Sequence, residues 1–234
     1  MKNDKKSKDC EGQNPFFCED IILRDKGEKL IMSQKEKDKI KELTEKVLDK
    51  DEHNILILVG RAGAGKKPVE IEISKNLPEK YEKREFIFGI DIINELRCIT
   101  TDKYIKENLF IFLDNMELSE AFGEEKLKKV IELIIETSRA GVCYVLSCDP
   151  ETLARMYSFS GELSRKSFVY NVPGLSFEIA KELVVSRLNR FRDEESDSLE
   201  PFTEAQIKNI WQTSKGNPRM ILMLCGNLYS ILKS

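Results

Sequence analysis

Apolar positions recur along this chain with two different periods, and the change between them divides it. From Ser33 onward, Ile40, Leu43, Val47 and Leu48 fall at helical spacing. Ser33 is placed to cap that run and Glu36 to reciprocate three positions on, so a helix is expected to about residue 50. Five short runs rich in β-branched and aromatic residues follow, at 55–59, 85–90, 109–113, 142–147 and 167–172. Those beginning at 55, 109 and 142 are almost continuously hydrophobic, the pattern of parallel strands covered on both faces. Helical patterns separate most of them, at about 66–77, 91–107 and 118–139. The last carries Leu127, Val130, Ile131, Ile134 and Ile135. Strands alternating with helices predict a three-layer α/β core around a five-stranded parallel sheet.

After Pro173-Gly174 the pattern turns wholly helical. Ser176 is placed to cap a run from Phe177 to about Arg192, residues 193–200 form an acidic loop, and Thr203 caps a run through Thr213. Pro218 opens the last run, which continues to about Leu232. The expected organisation is a charged tail at 1–13, an α/β core at 14–173 and a small all-helical appendage at 174–234.

Composition narrows the class. Of 234 residues, 41% are hydrophobic and 34% charged, the balance of an ordinary globular chain rather than a disordered or collagen-like one. No apolar run approaches the roughly 20 residues needed to span a bilayer, and residues 1–10 are too polar for a signal-peptide core. Lys and Arg number 38 against 41 Asp and Glu, a net charge of −3 that offers no global field for nucleic acid. The six cysteines (Cys10, Cys18, Cys98, Cys143, Cys148, Cys225) form no Cys-x-x-Cys pair, and His53 is the sole histidine. A structural zinc site is therefore not expected. Scattered cysteines without a secretion signal fit reduced thiols and a cytoplasmic setting.

The segment with the most chemistry is Ile55-Leu56-Ile57-Leu58-Val59-Gly60-Arg61-Ala62-Gly63-Ala64-Gly65-Lys66. A buried strand enters a glycine-rich turn and then a helix, with Gly60, Gly65 and Lys66 at the spacing of a phosphate-binding loop. Glycines let backbone N–H groups converge on phosphate oxygens, the helix N-terminus adds favourable potential, and Lys66 reaches the β/γ-phosphates. The next position normally carries Ser or Thr, whose hydroxyl ligates Mg²⁺. Here it is Lys67, which has no acceptor to offer a cation, followed by Pro68, which has no N–H. A natural lysine and one engineered in place of threonine fit this pattern equally. Weakened nucleotide binding, or binding less dependent on Mg²⁺ with Lys67 supplying part of the metal's charge, is the expected consequence.

Leu109 to Leu113 lead into Asp114, a hydrophobic strand ending in a carboxylate at the end of the sheet where such folds place ligands. Asp114 is the expected Mg²⁺ residue, acting through water. Asn115 follows, an amide that cannot serve as a carboxylate base. Glu117, two positions on, is either the substitute catalytic carboxylate or a helix N-terminal acid favoured by the dipole.

With these residues in view, about 14–233 of the chain resembles the AAA+ ATPases, in particular the branch of origin-recognition initiators, transposition-type ATPases and signal-transduction ATPases. The resemblance rests on Asn14-Pro15-Phe16, on residues 60–66 and 109–114, and on Tyr144-Val145-Leu146-Ser147-Cys148-Asp149. It extends over Pro173-Gly174-Leu175-Ser176-Phe177-Glu178, Pro201-Phe202-Thr203 and Gly216-Asn217-Pro218-Arg219, which resemble the family's helical lid. It implies that Gly60, Arg61, Ala62, Gly63, Ala64, Gly65, Lys66 and Lys67 surround ATP or ADP. It also implies that Ser147 or Cys148 stands as the first phosphate sensor, though relatives often have Asn where Cys148 falls. Arg219 stands as the lid sensor, and adenine lies between the segment at 14–17 and the lid. Arg165, next to Lys166, stands where relatives carry an arginine finger, a solvated surface arginine being the alternative. Initiators of this branch add a DNA-gripping winged helix after the lid, whereas this sequence ends at Ser234, so DNA is expected only indirectly.

Three functions stay open at this stage. One is a nucleotide-binding switch that works through self-association or a protein partner, with slow or no hydrolysis. Another is a scaffold that keeps the fold without nucleotide, or a DNA-linked initiator or transposition ATPase fragment. A third is a small nucleotide kinase, against which stand the lid-like C-terminal third and the want of an acceptor-site arginine cluster.

Overall fold

A computed structural model describes residues 14–16, 32–49, 53–101 and 108–233. The tail expected at 1–13 lies outside these residues, as do Phe17 and the end of the helix expected to 107. The chain divides into two compact units, residues 33–173 and residues 174–234 with the N-terminal stretch to Met32.

In the larger unit, α1 (Gln34–Leu48) opens on the expected capping box between Ser33 and Glu36. It is followed by β1 (Ile55–Val59), α2 (Lys66–Asn76), β2 (Glu82–Ile87), α3 (Ile92–Thr101) and β3 (Leu109–Asp114). A 3₁₀ turn (Met116–Leu118) and α4 (Ser119–Phe122) lead to α5 (Glu124–Arg139), β4 (Cys143–Cys148), α6 (Pro150–Phe159), α7 (Gly161–Lys166) and β5 (Ser167–Asn171). All five strands are parallel, in the order β2-β3-β4-β1-β5. The α/β fold expected from the alternation of periods is the fold found.

Burial explains why the three central strands read as unbroken apolar runs. Ile55, Ile57 and Val59 join Ile111, Leu113, Tyr144 and Leu146 in one cluster with Leu96 of α3, Val130 and Ile134 of α5, Met156 of α6 and Leu163 of α7. The alternate residues Leu56, Leu58, Phe110, Phe112 and Val145 point to the other face and are buried as well. There α1 packs on α2, and the Cys143 thiol donates to the Val47 carbonyl of α1. A sheet covered on both sides leaves its carboxyl-terminal edge as the place where loops carry polar chemistry.

Four elements differ from the sequence expectation. Strand β2 begins three residues earlier and ends at Ile87, because an edge strand with alternate exposure accommodates Glu82, Lys83 and Arg84. Ile90, counted in the apolar run, lies past the strand's end and is exposed. The expected helix at 118–139 is broken at Gly123, whose φ of 89° interrupts the α-helical backbone. Helices α6 and α7 were not anticipated. They are capped by Asp149, which accepts from the Thr152 amide, and by Ser160, which accepts from the Leu163 amide.

In the smaller unit, α8 (Phe177–Asn189), α9 (Glu204–Ser214) and α10 (Pro218–Lys233) enclose a core of Ala180, Val184, Leu188, Phe202, Ile207, Ile221 and Cys225. Phe16 enters this core and meets Phe202 and Tyr229 edge-on or tilted. The Asn14 amide donates to the Gly226 carbonyl and the Ser230 hydroxyl of α10. The turn between α9 and α10 is tied to the segment before α8. Leu175 N donates to Gly216 O at 2.8 Å, and the Trp211 indole N–H donates to Leu175 O at 2.7 Å.

Gly216 is required by this approach. It has φ 74°, and a Cβ there would lie 2.6 Å from Leu175 O. Gly216→Ala is expected to cost about 3 kcal/mol, from left-handed backbone strain and overpacking together. Trp211, the chain's only tryptophan, reports the loss as a fluorescence melt shifted down by roughly 6–12 °C. An unchanged melt would contradict this packing.

Candidate phosphate site

The turn after β1 is shaped by two glycines in left-handed backbone, Gly63 with φ 76° and Gly65 with φ 97°. Gly60 N donates to Cys148 O at 3.0 Å, stitching the start of the turn to the end of β4. A Cβ on Gly60 would stand 2.9 Å from the Ala64 Cβ, so the turn closes only without one. Arg61 and Ala62 are exposed, and Gly63, Ala64 and Gly65 are half-buried. Helix α2 starts at Lys66 with no side chain capping it. The amides of Lys66 and Lys67 stand in a first turn that has no intrahelical acceptor for them. These are the features with which a loop cradles phosphate.

The Lys66 side chain is 9% exposed and folds back over the turn. Its ammonium donates to Gly60 O at 2.7 Å and lies 3.3 Å from Glu117 Oε1. Glu117 comes from the 3₁₀ turn after β3, a turn that starts at Asn115 in left-handed backbone with φ 58°. The other Glu117 oxygen, Oε2, is buried without a hydrogen-bond partner. Burial, then the Glu117 charge, push the nearby Cys148 thiol up to about 12, with Lys66 opposing. Glu117 thus faces Lys66 from the turn after β3, and the Cys148 thiol at the end of β4 feels both charges.

Asp114 stands at the end of β3, half-buried, its Oδ1 accepting from Asn115 N at 2.7 Å. Ser147 in β4 is fully buried, and its hydroxyl donates to Glu70 Oε1 of α2. Glu70 is a residue that sequence reasoning missed. Its signal was present: with Lys66, Val69 and Ile73 it shares the buried stripe of α2, where a carboxylate is out of place. Burial, then the Asp114 charge, hold the Glu70 carboxyl above its ordinary range, against the Ser147 hydrogen bond and the Lys67 charge.

Lys67 turns to the side. Its ammonium lies 3.0 Å from Glu70 Oε2, a charge contact rather than an aligned hydrogen bond, and 3.2 Å from Glu85 Oε2 of β2. Burial alone would lower it, but the Glu70 and Glu85 carboxylates hold the Lys67 ammonium above its usual range. A cavity of about 230 Å³ adjoins it, lined by Lys67, Glu70, Ser74, Lys83, Glu85 and Phe112 among others.

The turn and Lys66 fit a polyphosphate. A magnesium ion wants oxygen ligands in near-octahedral array; Lys67 supplies no oxygen and Ser147 is engaged with Glu70, so the usual hydroxyl ligand is missing, while Asp114 keeps a second carboxylate oxygen through which it would hold the ion by way of water.

Arg219, in the second unit, is exposed in the first turn of α10. Asn217 caps that helix, its side chain accepting from Met220 N and its carbonyl from Ile221 N. Arg165 is exposed in the last turn of α7. Among the described residues, no group of three His, Cys, Asp or Glu is disposed to hold a metal, and no helix is long and apolar enough to cross a membrane.

No family model and no curated protein matches the sequence. Solved structures do. A closed-state cryo-EM reconstruction of Hsp104 with ATPγS and FITC casein superposes with a TM-score of 0.57 at 14% identity, covering 81% of this chain and 37% of that one. The Saccharomyces cerevisiae Hsp104:casein complex in its extended conformation gives 0.53 at 17%, covering 84% and 38%. The Thermotoga maritima RuvB Holliday junction branch migration motor gives 0.52 at 18%, covering 86% and 63%. These neighbours are AAA+ ATPases, and the chain shares their fold while spanning less than two thirds of their lengths.

Proposed function

We propose that the chain is a nucleotide-binding AAA+ module, of the branch containing initiator, transposition and signal-transduction ATPases. It binds ADP or ATP at residues 60–67 and responds by assembling with itself or with a protein partner. The observation that carries this reading is the geometry of the turn: two left-handed glycines, open first-turn amides and a lysine ammonium folded over them. Phosphate takes the place of Glu117 against Lys66, and charge-assisted hydrogen bonds from the turn hold it. Arg219 of the helical unit is the phosphate sensor in this reading. Hydrolysis is slow or absent, because Asn115 occupies the usual carboxylate position and the metal's hydroxyl ligand is replaced by Lys67.

A second reading, a scaffold that no longer binds nucleotide, draws support from the engagement of Lys66 by Glu117 and of Ser147 by Glu70. Thermal unfolding with and without ADP separates the two. A ligand at one hundred times its Kd stabilises the native state by about 2.7 kcal/mol. A binding module is expected to melt several degrees higher in ADP, and ATP is expected to persist over hours of incubation. An unchanged midpoint at millimolar ADP and ATP would establish the scaffold instead.

A further inference from the structure

Lys67 stands where a metal-binding hydroxyl is expected, yet its ammonium is directed at Glu70 and Glu85 rather than over the turn. Glu70 is 3% exposed, and a carboxylate that deeply buried needs a cation beside it. Residues 67 and 70 are three apart on α2 and share a face. Lysine ahead of glutamate is the weaker order for a helix-surface pair, so burial of the acid accounts for the contact better than helix stabilisation does. Glu70 in turn receives the Ser147 hydroxyl and feels Asp114, linking α2 to the ends of β3 and β4. Four carboxylates, Glu70, Glu85, Asp114 and Glu117, are set against two ammonium groups, Lys66 and Lys67, in and beside the turn, and losing Lys67 would leave the buried Glu70 charge without its cation.

We propose that Lys67, standing where the metal's hydroxyl ligand is expected, is the built-in counter-ion of Glu70, tied to β4 through Ser147, and that by keeping the Glu70 charge compensated without a metal it lets the turn take up metal-free nucleoside diphosphate. The proposal rests on the nucleotide reading above. Lys67 is a positioning residue here: it acts through the field and through Glu70, while Lys66 and the backbone amides touch the phosphate.

The test combines calorimetric ADP titration in EDTA and in Mg²⁺ with nucleotide-free thermal unfolding. It uses the full chain, Lys67→Thr, Lys67→Arg, Glu70→Gln and Lys67→Thr/Glu70→Gln. The unaltered chain should bind ADP with affinities in EDTA and Mg²⁺ that agree within about twofold. Lys67→Thr should melt several degrees lower and bind metal-free ADP at least about tenfold more weakly. Lys67→Arg should retain metal-free binding. Neutralising Glu70 in the double variant should recover most of the lost melting temperature, because the buried charge goes with its partner. A tenfold gain on adding Mg²⁺ to the unaltered chain overturns the proposal and leaves nucleotide binding intact. Additive effects of the two substitutions on melting overturn it also. Absence of ADP binding by every protein overturns the nucleotide reading and this proposal together.

Discussion

Replacing Lys66 with methionine should weaken ADP binding by about a hundredfold, the largest change expected from any single side chain here. A hydrogen bond to a charged group contributes about 1.5–3 kcal/mol, and tenfold in affinity corresponds to about 1.4 kcal/mol. Lys66 is the cation folded over the turn, so its removal takes away both a charge and a donor. Methionine keeps much of the buried aliphatic stem, which limits the loss of packing. The substitution also leaves Glu117 facing the turn without its ammonium partner, so the residual site repels phosphate. Calorimetry with ADP on folded Lys66→Met measures the effect. An affinity within twofold of the unaltered protein would show that Lys66 serves only to tie the turn to Glu117, and the phosphate assignment would fall. Methionine at 66 should also lower the nucleotide-free melt, because Lys66 Nζ donates to Gly60 O at 2.7 Å and to Glu117 Oε1 at 3.3 Å, so the titration is made at a temperature where the variant is folded.

How far the sequence carried this picture depended on the range of each interaction. Local signals were sufficient for β1, β3 and β4, whose residues are buried on both faces, and for the caps Ser33, Ser176 and Thr203. They misplaced β2, where the apolar residues Ile87 and Ile90 are exposed and the charged ones form the strand. Helices α6 and α7 escaped notice although Asp149-Pro150 and Ser160 are ordinary start signals, because short amphipathic stretches carry little periodicity. In the site, the glycine spacing disclosed the turn, but no local rule links Lys66 to Glu117, 51 positions away, or Ser147 to Glu70, 77 positions away. Those pairings are made by the parallel sheet, which brings the ends of β3 and β4 beside α2. Lys67 illustrates the same limit. Its identity as a departure from the metal-binding pattern was visible in the sequence, whereas its orientation toward Glu70 and Glu85 depends on which faces of α2 and β2 meet.

Replacing Glu117 with glutamine should strengthen ADP binding by about tenfold, an effect opposite in sign to that of Lys66→Met. The Glu117 carboxylate holds the ammonium that phosphate must take, 3.3 Å from Lys66 Nζ, and its second oxygen is buried without a hydrogen-bond partner. Glutamine keeps the shape while removing the charge, so phosphate meets neither a competitor for Lys66 nor a like charge beside it. The neutral amide also gives the unpartnered Oε2 position a donor, which suits a site about to receive an anion. Glu120→Gln supplies the control: Glu120 lies three residues on, exposed and paired with Arg155, so losing its charge should alter ADP affinity less than twofold. Equal affinities for Glu117→Gln and the unaltered chain would mean that Glu117 leaves Lys66 without contest. Turnover of ATP separates the two roles open to this residue. If Glu117 also orients a water, Glu117→Gln lowers hydrolysis while binding tightens. If it is only the resident anion, any slow hydrolysis continues at its former rate once nucleotide saturates. Binding and turnover that move in opposite directions would place one carboxylate in both positions of the cycle, against Lys66 before nucleotide arrives and against water afterwards.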